Sequence, residues 1–441
     1  MPVNKARQLP FAERVDPAAT ALLVIDVQNN FCHPQGFHGR AGSDLSMMPA
    51  MAERVGALVA AARHAGAFII WVRATYDLVH QGAALAEQMA KGGRDPLRCA
   101  EGSWEAQWLE PLAPDTAAPN EVVITKHRYS AFWDTEIDLY LRSNGIRSVV
   151  LTGVVTSGCV DSTARDAFFR NYRVVLAEDA CADNAKARHD ASLGKLSMTV
   201  GVVCPAAQVI DHWDAAPPGP RGWHAEVKQA LALIDLDAMV DPRHAAFVII
   251  DMQNDFCHPD GLMGRRGEDV SHNATIVPVI AALLAAARRA GAMVVHVHGQ
   301  YGLASGSPVS LFGAGGPRVA MDICLPGSWG AQPLEEFAPA PGELVVVKHR
   351  LSAFIDTGLD QLLRGNGIRS MVVVGTATQA CVESTVRDAR FHDYHVVVAE
   401  DAVGARGRHR PMHDASLEVM RTYFAEVVPA ARILDCWRAA A

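Results

Sequence analysis

At 441 residues the chain is long enough for two domains, and its balance of half hydrophobic to one-fifth charged residues is ordinary for a globular protein. A net charge of -8, with no run of Lys or Arg, argues against nucleic acid as the main partner. Nine widely spaced cysteines without a CxxC pair suit a reducing cytoplasm and read against a disulfide framework or a structural zinc site.

The first residues, MPVNKARQLPFAERVDP, lack the apolar core of a signal peptide. No apolar run reaches about 18 residues, so no membrane span is expected. Apolar runs of strand length then follow at 21–26, 67–72, 121–125, 148–152, 173–177 and 201–204. They are hydrophobic nearly throughout, without alternation, as suits parallel strands covered on both faces. Helical spacing separates them. Val55, Leu58, Val59 and Ala62 form one stripe, and Gly66 supplies a left-handed stop. Thr135 with Asp138 reads as a variant capping box. The stretch 211–222, DHWDAAPPGPRG, reads as a linker.

Beyond it the pattern begins again, with apolar runs at 246–251, 292–297, 343–347, 370–374, 395–399 and 425–428. Ile280, Leu283, Leu284 and Ala287 repeat the helical stripe before Gly291, and Thr357 with Asp360 repeats the capping box. The segment LLVIDVQNNFCHPQG returns as FVIIDMQNDFCHPDG, KHRYSAFWDT as KHRLSAFIDT, and GVVTSGCVDST as GTATQACVEST. The offset is 225 residues for Asp26 and Asp251 and 222 for Lys126 and Lys348 and for Cys159 and Cys381. So long a period is no solenoid. It predicts two whole α/β domains in tandem, 1–216 and 217–441, each a doubly wound parallel sheet.

In such sheets ligands lie beyond the carboxyl ends of the strands. Asp26 and Lys126 each end an apolar strand, and Cys159 follows another. A carboxylate in such a place can act as a general base toward a thiol. A lysine beside it favours the thiolate and the charge of a tetrahedral intermediate. A thiol at a helix N-terminus loses its proton more readily. Read singly, each residue also has a structural explanation: a turn cap, a rim lysine, a buried small hydrophobe. Their joint recurrence as Asp251, Lys348 and Cys381 favours chemistry.

The DxQNxF segment, the strand-terminal Lys and the GxxTxxCVxST segment make each copy resemble the isochorismatase-like cysteine hydrolase family. That resemblance implies a six-stranded parallel sheet of order 3-2-1-4-5-6 flanked by helices. It implies the catalytic triads Asp26–Lys126–Cys159 and Asp251–Lys348–Cys381. It also implies non-proline cis peptides at Val154–Val155 and Thr376–Ala377, which would aim the amides of Val155 and Cys159, or of Ala377 and Cys381, as oxyanion holes. GSWEAQ, LRSNGIRSVVLTG and CVDSTARDAFFRNY are most similar to the ureidoacrylate amidohydrolases, with biuret hydrolase and N-carbamoylsarcosine amidohydrolase close by. On that likeness Gln28, Phe31, Arg73 and Tyr129 would line the first pocket, and Gln253, Phe256 and His298 the second, where Leu351 replaces Tyr129. The implied enzyme is a cofactor-free cytoplasmic amidohydrolase of a small linear amide or ureido acid. Its halves are expected to pack as an internal pseudo-dimer, with further homo-oligomers open.

Other readings stand beside this one. A nicotinamidase-like enzyme would need a metal; His296 and His298 are two apart, but no carboxylate accompanies them in sequence, so no metal is expected. One domain could be catalytic and the other degenerate or regulatory. A non-catalytic binding protein is the reading from outside enzymology. Cys32 and Cys257 read as pocket walls, His33 and His258 as loop-ordering residues, and Trp104 and Trp329 as packing. Glu178, Asp179, Glu400 and Asp401 read as structural carboxylates.

Overall fold

The computed structural model describes residues 9–77, 79–80, 82–91, 98–219, 233, 235–302, 305, 312–313, 316–317 and 322–440. The chain divides into two compact units, Pro2–Ala232 and Leu233–Ala441. The end of the expected linker, 220–222, lies outside the described residues, as does the rest of 220–232 beyond the junction expected after residue 216.

In the first unit β1 (Thr20–Ile25), β2 (Phe68–Ala74), β3 (Glu121–Lys126), β4 (Ser148–Val154), β5 (Arg173–Ala182) and β6 (Gly201–Cys204) form one sheet in the order β3-β2-β1-β4-β5-β6. All its pairings are parallel. The continuous hydrophobicity has a direct cause. Leu22, Val24, Ile69, Trp71 and Val150 face α1 (Met48–Ala65), whereas Leu23, Ile25, Ile70, Val72 and Leu151 face the other way. That second face is covered by α2 (Ile137–Ser143), α3 (Asp161–Phe169) and α4 (Lys186–Thr199). Both faces of the central strands are thus covered, and successive side chains are nearly all apolar. Gly66 ends α1 at φ 71, the left-handed value that a residue without a Cβ adopts freely.

The second unit repeats this plan. Strands β7 (Ala245–Ile250), β8 (Met293–Gly299), β9 (Leu344–Lys348), β10 (Ser370–Thr376), β11 (His395–Gly404) and β12 (Glu426–Val428) run in the order β9-β8-β7-β10-β11-β12. Helices α6 (Ser271–Ala290) and α10 (Ala430–Ala440) cover one face, and α7 (Leu359–Gly365), α8 (Glu383–Phe391) and α9 (Arg410–Tyr423) the other.

Two expectations are corrected here. The linker begins later than its polar composition suggests, because 211–214 belong to α5 (Ala206–Asp214), whose Trp213 is fully buried and donates to Val15 O at 2.7 Å. Trp437 does the same to Val240 O at 2.7 Å. The capping boxes are not formed. Thr135 and Thr357 receive the N–H of Ile137 and Leu359 at 3.3 and 3.2 Å from outside the cap position. Asp138 and Asp360 instead accept from the Tyr172 and Tyr394 hydroxyls at 2.8 and 2.9 Å. Finally, α6 is long and apolar enough, by length and composition, to cross a membrane. Its buried stripe, Ile276, Ile280, Leu283, Leu284 and Ala287, packs on the second sheet.

Candidate active site

The sheet order decides where the polar residues meet. β1 and β4 are neighbours, yet the chain runs outward from them in opposite directions. Beyond their carboxyl ends lies the crevice of the switch point. Asp26 follows β1 directly, with φ 52, and Asp251 follows β7 with φ 53. This left-handed turn is tolerated by Asp better than by most residues. The backbone stays tied to the sheet, because the Asp26 N–H donates to Val72 O at 2.8 Å. Lys126 is the last residue of β3 and reaches across the end of β2. Cys159 lies in the π-helical turn Thr156–Val160 between β4 and α3. The peptide bonds Val154–Val155 and Thr376–Ala377 are cis, as the family likeness implied.

These elements close a compact cluster. Lys126 Nζ is 2.7 Å from Asp26 Oδ2 and donates to Cys159 Sγ at 3.3 Å and to Arg128 O at 3.1 Å. Lys348 Nζ repeats this with Asp251 Oδ2 at 2.9 Å, Cys381 Sγ at 3.3 Å and Arg350 O at 3.1 Å. The paired charges are at most 1 % exposed. Burial raises the Asp26 carboxyl above the usual carboxylate range, against the opposing pull of Lys126. Burial alone would depress Lys126, but Asp26 and Cys159 outweigh it and keep the ammonium charged. Burial and the Asp26 charge push the Cys159 thiol up to about 12. Cys381 is likewise pushed up to about 12 by burial, against the lowering effect of Lys348. The sequence suggested a thiol made acidic by a helix terminus. In the folded site burial and the Asp26 charge act against such acidification and favour the thiol form.

A second layer fixes the turn. Thr156 Oγ1 and His189 Nδ1 are 2.9 Å apart, and Thr378 Oγ1 and His413 Nδ1 are 2.8 Å apart. Gln28 Nε2 donates to Ala74 O and Ala106 O at 3.0 and 2.9 Å, while its Oε1 accepts from the Ala74 N–H at 2.8 Å. Gln253 makes the equivalent bonds to Gly299 and Ala331. Both amides are thereby committed to backbone, which corrects their expected place among the substrate contacts. Phe31 is buried in the core, and Phe256 packs partly against the second one. Arg73 donates to Thr125 Oγ1 at 2.8 Å and to Glu101 at 2.9 Å. Tyr129 packs half-buried, Leu351 is exposed, and His298 is held neutral by burial, down to about 4. A carboxylate does accompany His296: its Nε2 is 2.8 Å from Glu343, which Arg288 also pairs at 2.7 Å. Trp71 and Arg63 meet Glu121 in the same way in the first unit. The arrangement is therefore a structural clasp on the edge strand.

Cys32 and Cys257 are buried, and burial with the neighbouring carboxylate raises both thiols. His33 and His258 sit edge-on to Trp104 and Trp329 at 5.0 and 5.2 Å. Asp179 and Asp401 accept the N–H of Ala206 and Ala430 at 2.6 and 2.7 Å, each holding a helix start.

Among the described residues one group could offer metal ligands: Asp77, His80 and His127. The two imidazoles are stacked at 3.9 Å and 4°. Their in-plane lone pairs therefore run parallel and do not converge on one ion. His80 Nδ1 is already on Asp77, and His127 Nδ1 is 3.0 Å from Thr75 O. No metal is assigned there.

The sequence reading missed two residues at this site. Tyr76 and Tyr301 recur at the same 225-residue interval as the two aspartates, and that interval is the signal that could have found them. Arg98 has no counterpart in kind, since Ile323 stands at its place; its Cζ lies 4.4 Å from the centre of the Tyr76 ring.

An isochorismatase domain matches residues 20–208 and again 245–432. The chain belongs to the isochorismatase-domain family of hydrolases. Over 218 residues it is 34% identical to the ureidoacrylate amidohydrolase RutB of Methylobacterium radiotolerans, spanning 46% of this chain and 83% of that protein. Among solved structures it is similar to an isochorismatase family protein from Desulfovibrio vulgaris, 38% identical, with 44% of this chain and 97% of that one covered and a TM-score of 0.38. It is also similar to N-carbamoylsarcosine amidase from Thermoplasma acidophilum, 28% identical, with 42% and 96% covered and a TM-score of 0.35.

Proposed function

We propose that the chain is a cysteine amidohydrolase with two active sites, acting on a small linear amide or ureido acid. The observation that carries this reading is the buried carboxylate–ammonium–thiol cluster, built twice at the switch point of a parallel sheet. The ureido chemistry in the name of the relative points to the substrate class.

The chemistry follows from the protonation states. Asp26 takes the Cys159 proton as sulfur attacks the carbonyl carbon, and Lys126 balances the charge. The amides of Val155 and Cys159 would hold the oxyanion. The C–N bond breaks as Asp26 passes its proton to the departing nitrogen, which leaves as ammonia or an amine, while the carbonyl carbon stays on Cys159 as an acyl or carbamoyl thioester. Water then attacks the thioester, and Asp26 takes a proton from it. The acid is released and the thiol regains its proton. Asp251, Lys348, Cys381 and the amides of Ala377 and Cys381 would do the same in the second unit.

The test uses ammonia release from a panel of ureido acids and short amides. Cys159→Ser and Cys381→Ser should each remove part of the activity and the double variant all of it. Full turnover by the double variant would overturn the nucleophile assignment. All activity lost with one substitution alone would favour one live and one degenerate unit, a reading motivated by Tyr129 against Leu351 and Arg98 against Ile323.

A further inference from the structure

The two clusters differ around one tyrosine. Tyr76 and Tyr301 each donate a backbone N–H to the loop beyond, to Cys99 O at 3.4 Å and Cys324 O at 3.3 Å. Both phenols are drawn in beside the charged cluster, and burial raises the pKa of each. The Tyr301 hydroxyl oxygen accepts from Lys348 Nζ at 3.3 Å. Among the described residues Tyr76 makes no such bond to Lys126, and its ring lies under the Arg98 guanidinium.

The end of the neighbouring strand differs as well. Gly299 ends β8, and a Cβ there would sit 3.0 Å from Tyr301 Cε2, 3.2 Å from its hydroxyl and 3.3 Å from Asp251 Oδ1. The first unit has Ala74 at this place and so carries that methyl group. Such a methyl group would press on the Tyr301 ring edge and hydroxyl, which would have to give way slightly.

An ammonium has three hydrogens. Among the described residues three acceptors stand around Lys126: Asp26, Cys159 and Arg128 O. Around Lys348 stand four: Asp251, Cys381, Arg350 O and Tyr301. We propose that Tyr301 is a positioning residue that competes with Cys381 for the Lys348 ammonium, so that the second thiol reacts more slowly at rest than the first. The Gly299 N–H also donates to Asp251 Oδ1 at 2.9 Å. The charged and titratable groups acting on Cys381 and its partners include Asp251, Lys348 and Tyr301, with His298 acting on Asp251. Cys257 and Cys324 lie near Asp251 and are held as thiols mainly by burial. The inference deepens the amidohydrolase reading and rests on it for its bearing on turnover.

Alkylation by iodoacetamide reads the two thiols directly. Each thiolate displaces iodide, and the adduct is located by peptide mass in the full-length protein. Across a pH series Cys159 should react about fivefold faster than Cys381, the effect of part of one hydrogen bond. Tyr301→Phe should bring Cys381 close to the rate of Cys159 and move its pH profile down. Gly299→Ala should do the same with the tyrosine intact, and Ala74→Gly should slow Cys159. General loosening would instead speed Cys257 and Cys324 together with Cys381, and that result overturns the inference. So do equal rates at Cys159 and Cys381 that ignore Tyr301→Phe and Gly299→Ala. Absence of ammonia release from every amide, with the alkylation pattern as expected, would overturn the amidohydrolase reading and leave this inference standing.

Discussion

Lys126 and Asp26 illustrate how much a single buried charge depends on its partner. Both are fully enclosed, and 2.7 Å separates them. Removing one partner of such a pair leaves an uncompensated charge and costs about 3–5 kcal/mol. Lys126→Met should therefore lower unfolding stability by that amount and drive Asp26 to take up a proton. The double variant Asp26→Asn with Lys126→Met carries no charge and should recover most of the stability. It should recover none of the first site's ammonia release when assayed in a Cys381→Ala background. Urea unfolding and the release assay separate the two roles; a double variant as unstable as the single would show that packing, not charge, is at stake. The triads were legible because three chemically distinct residues recur together. Tyr76 and Tyr301 were not, since a tyrosine after an apolar strand carries no chemical signature until its hydroxyl is seen against Lys348. Gln28 shows the converse: its motif is plain, but only the fold reveals that its amide is committed to Ala74 and Ala106.

The elements were readable from burial on two faces, and their exceptions have local causes. Every expected sheet strand is present because unbroken apolar runs such as ALLVI have no other stable home. Thr135 both donates to Ala131 O and accepts the Ile137 N–H, but it sits one residue before the cap position, Glu136. Trp213 was lost in a polar linker, since one aromatic among Asp, His and Pro gives no period to read. The end of β4 makes a sharper claim. Gly153 has φ 105, and a Cβ there would lie 2.0 Å from Ile25 O. Both the backbone angle and the close approach to β1 require glycine. Gly375 repeats this at φ 117 against Ile250 O, 2.1 Å from the same hypothetical atom. Gly153→Ala should part β4 from β1 just before the Cys159 turn. We expect a loss of about 2 kcal/mol or more and no turnover at the first site, with Cys381 alkylation in the second unit retained. An unchanged urea midpoint would show that the strands can shift at little cost.

At the scale of the whole chain, duplication has placed an unusual number of thiols under cover. Eight of the nine free cysteines are buried. Burial pushes Cys159, Cys181 and Cys381 from the ordinary 9.0 up to about 12, and Cys32 and Cys257 higher still. These values tie folding to pH with a definite sign. A folded pKa above the unfolded one means that the native state holds its protons longer. The stability this contributes is complete below pH 9, where both states are protonated. It is lost as pH rises from 9 toward 12, because the unfolded chain ionises first. Each fully buried thiol should then weaken folding by roughly 1 kcal/mol for each pH unit above its unfolded value. Urea midpoints should be flat up to about pH 8 and fall steadily between about pH 9 and 10, before lysines titrate in the unfolded chain. Cys181→Ala, which removes one such thiol away from both triads, should make that slope shallower by about one proton. A midpoint that stays level across this window, or a slope untouched by the substitution, would mean that the cysteines ionise without unfolding the units.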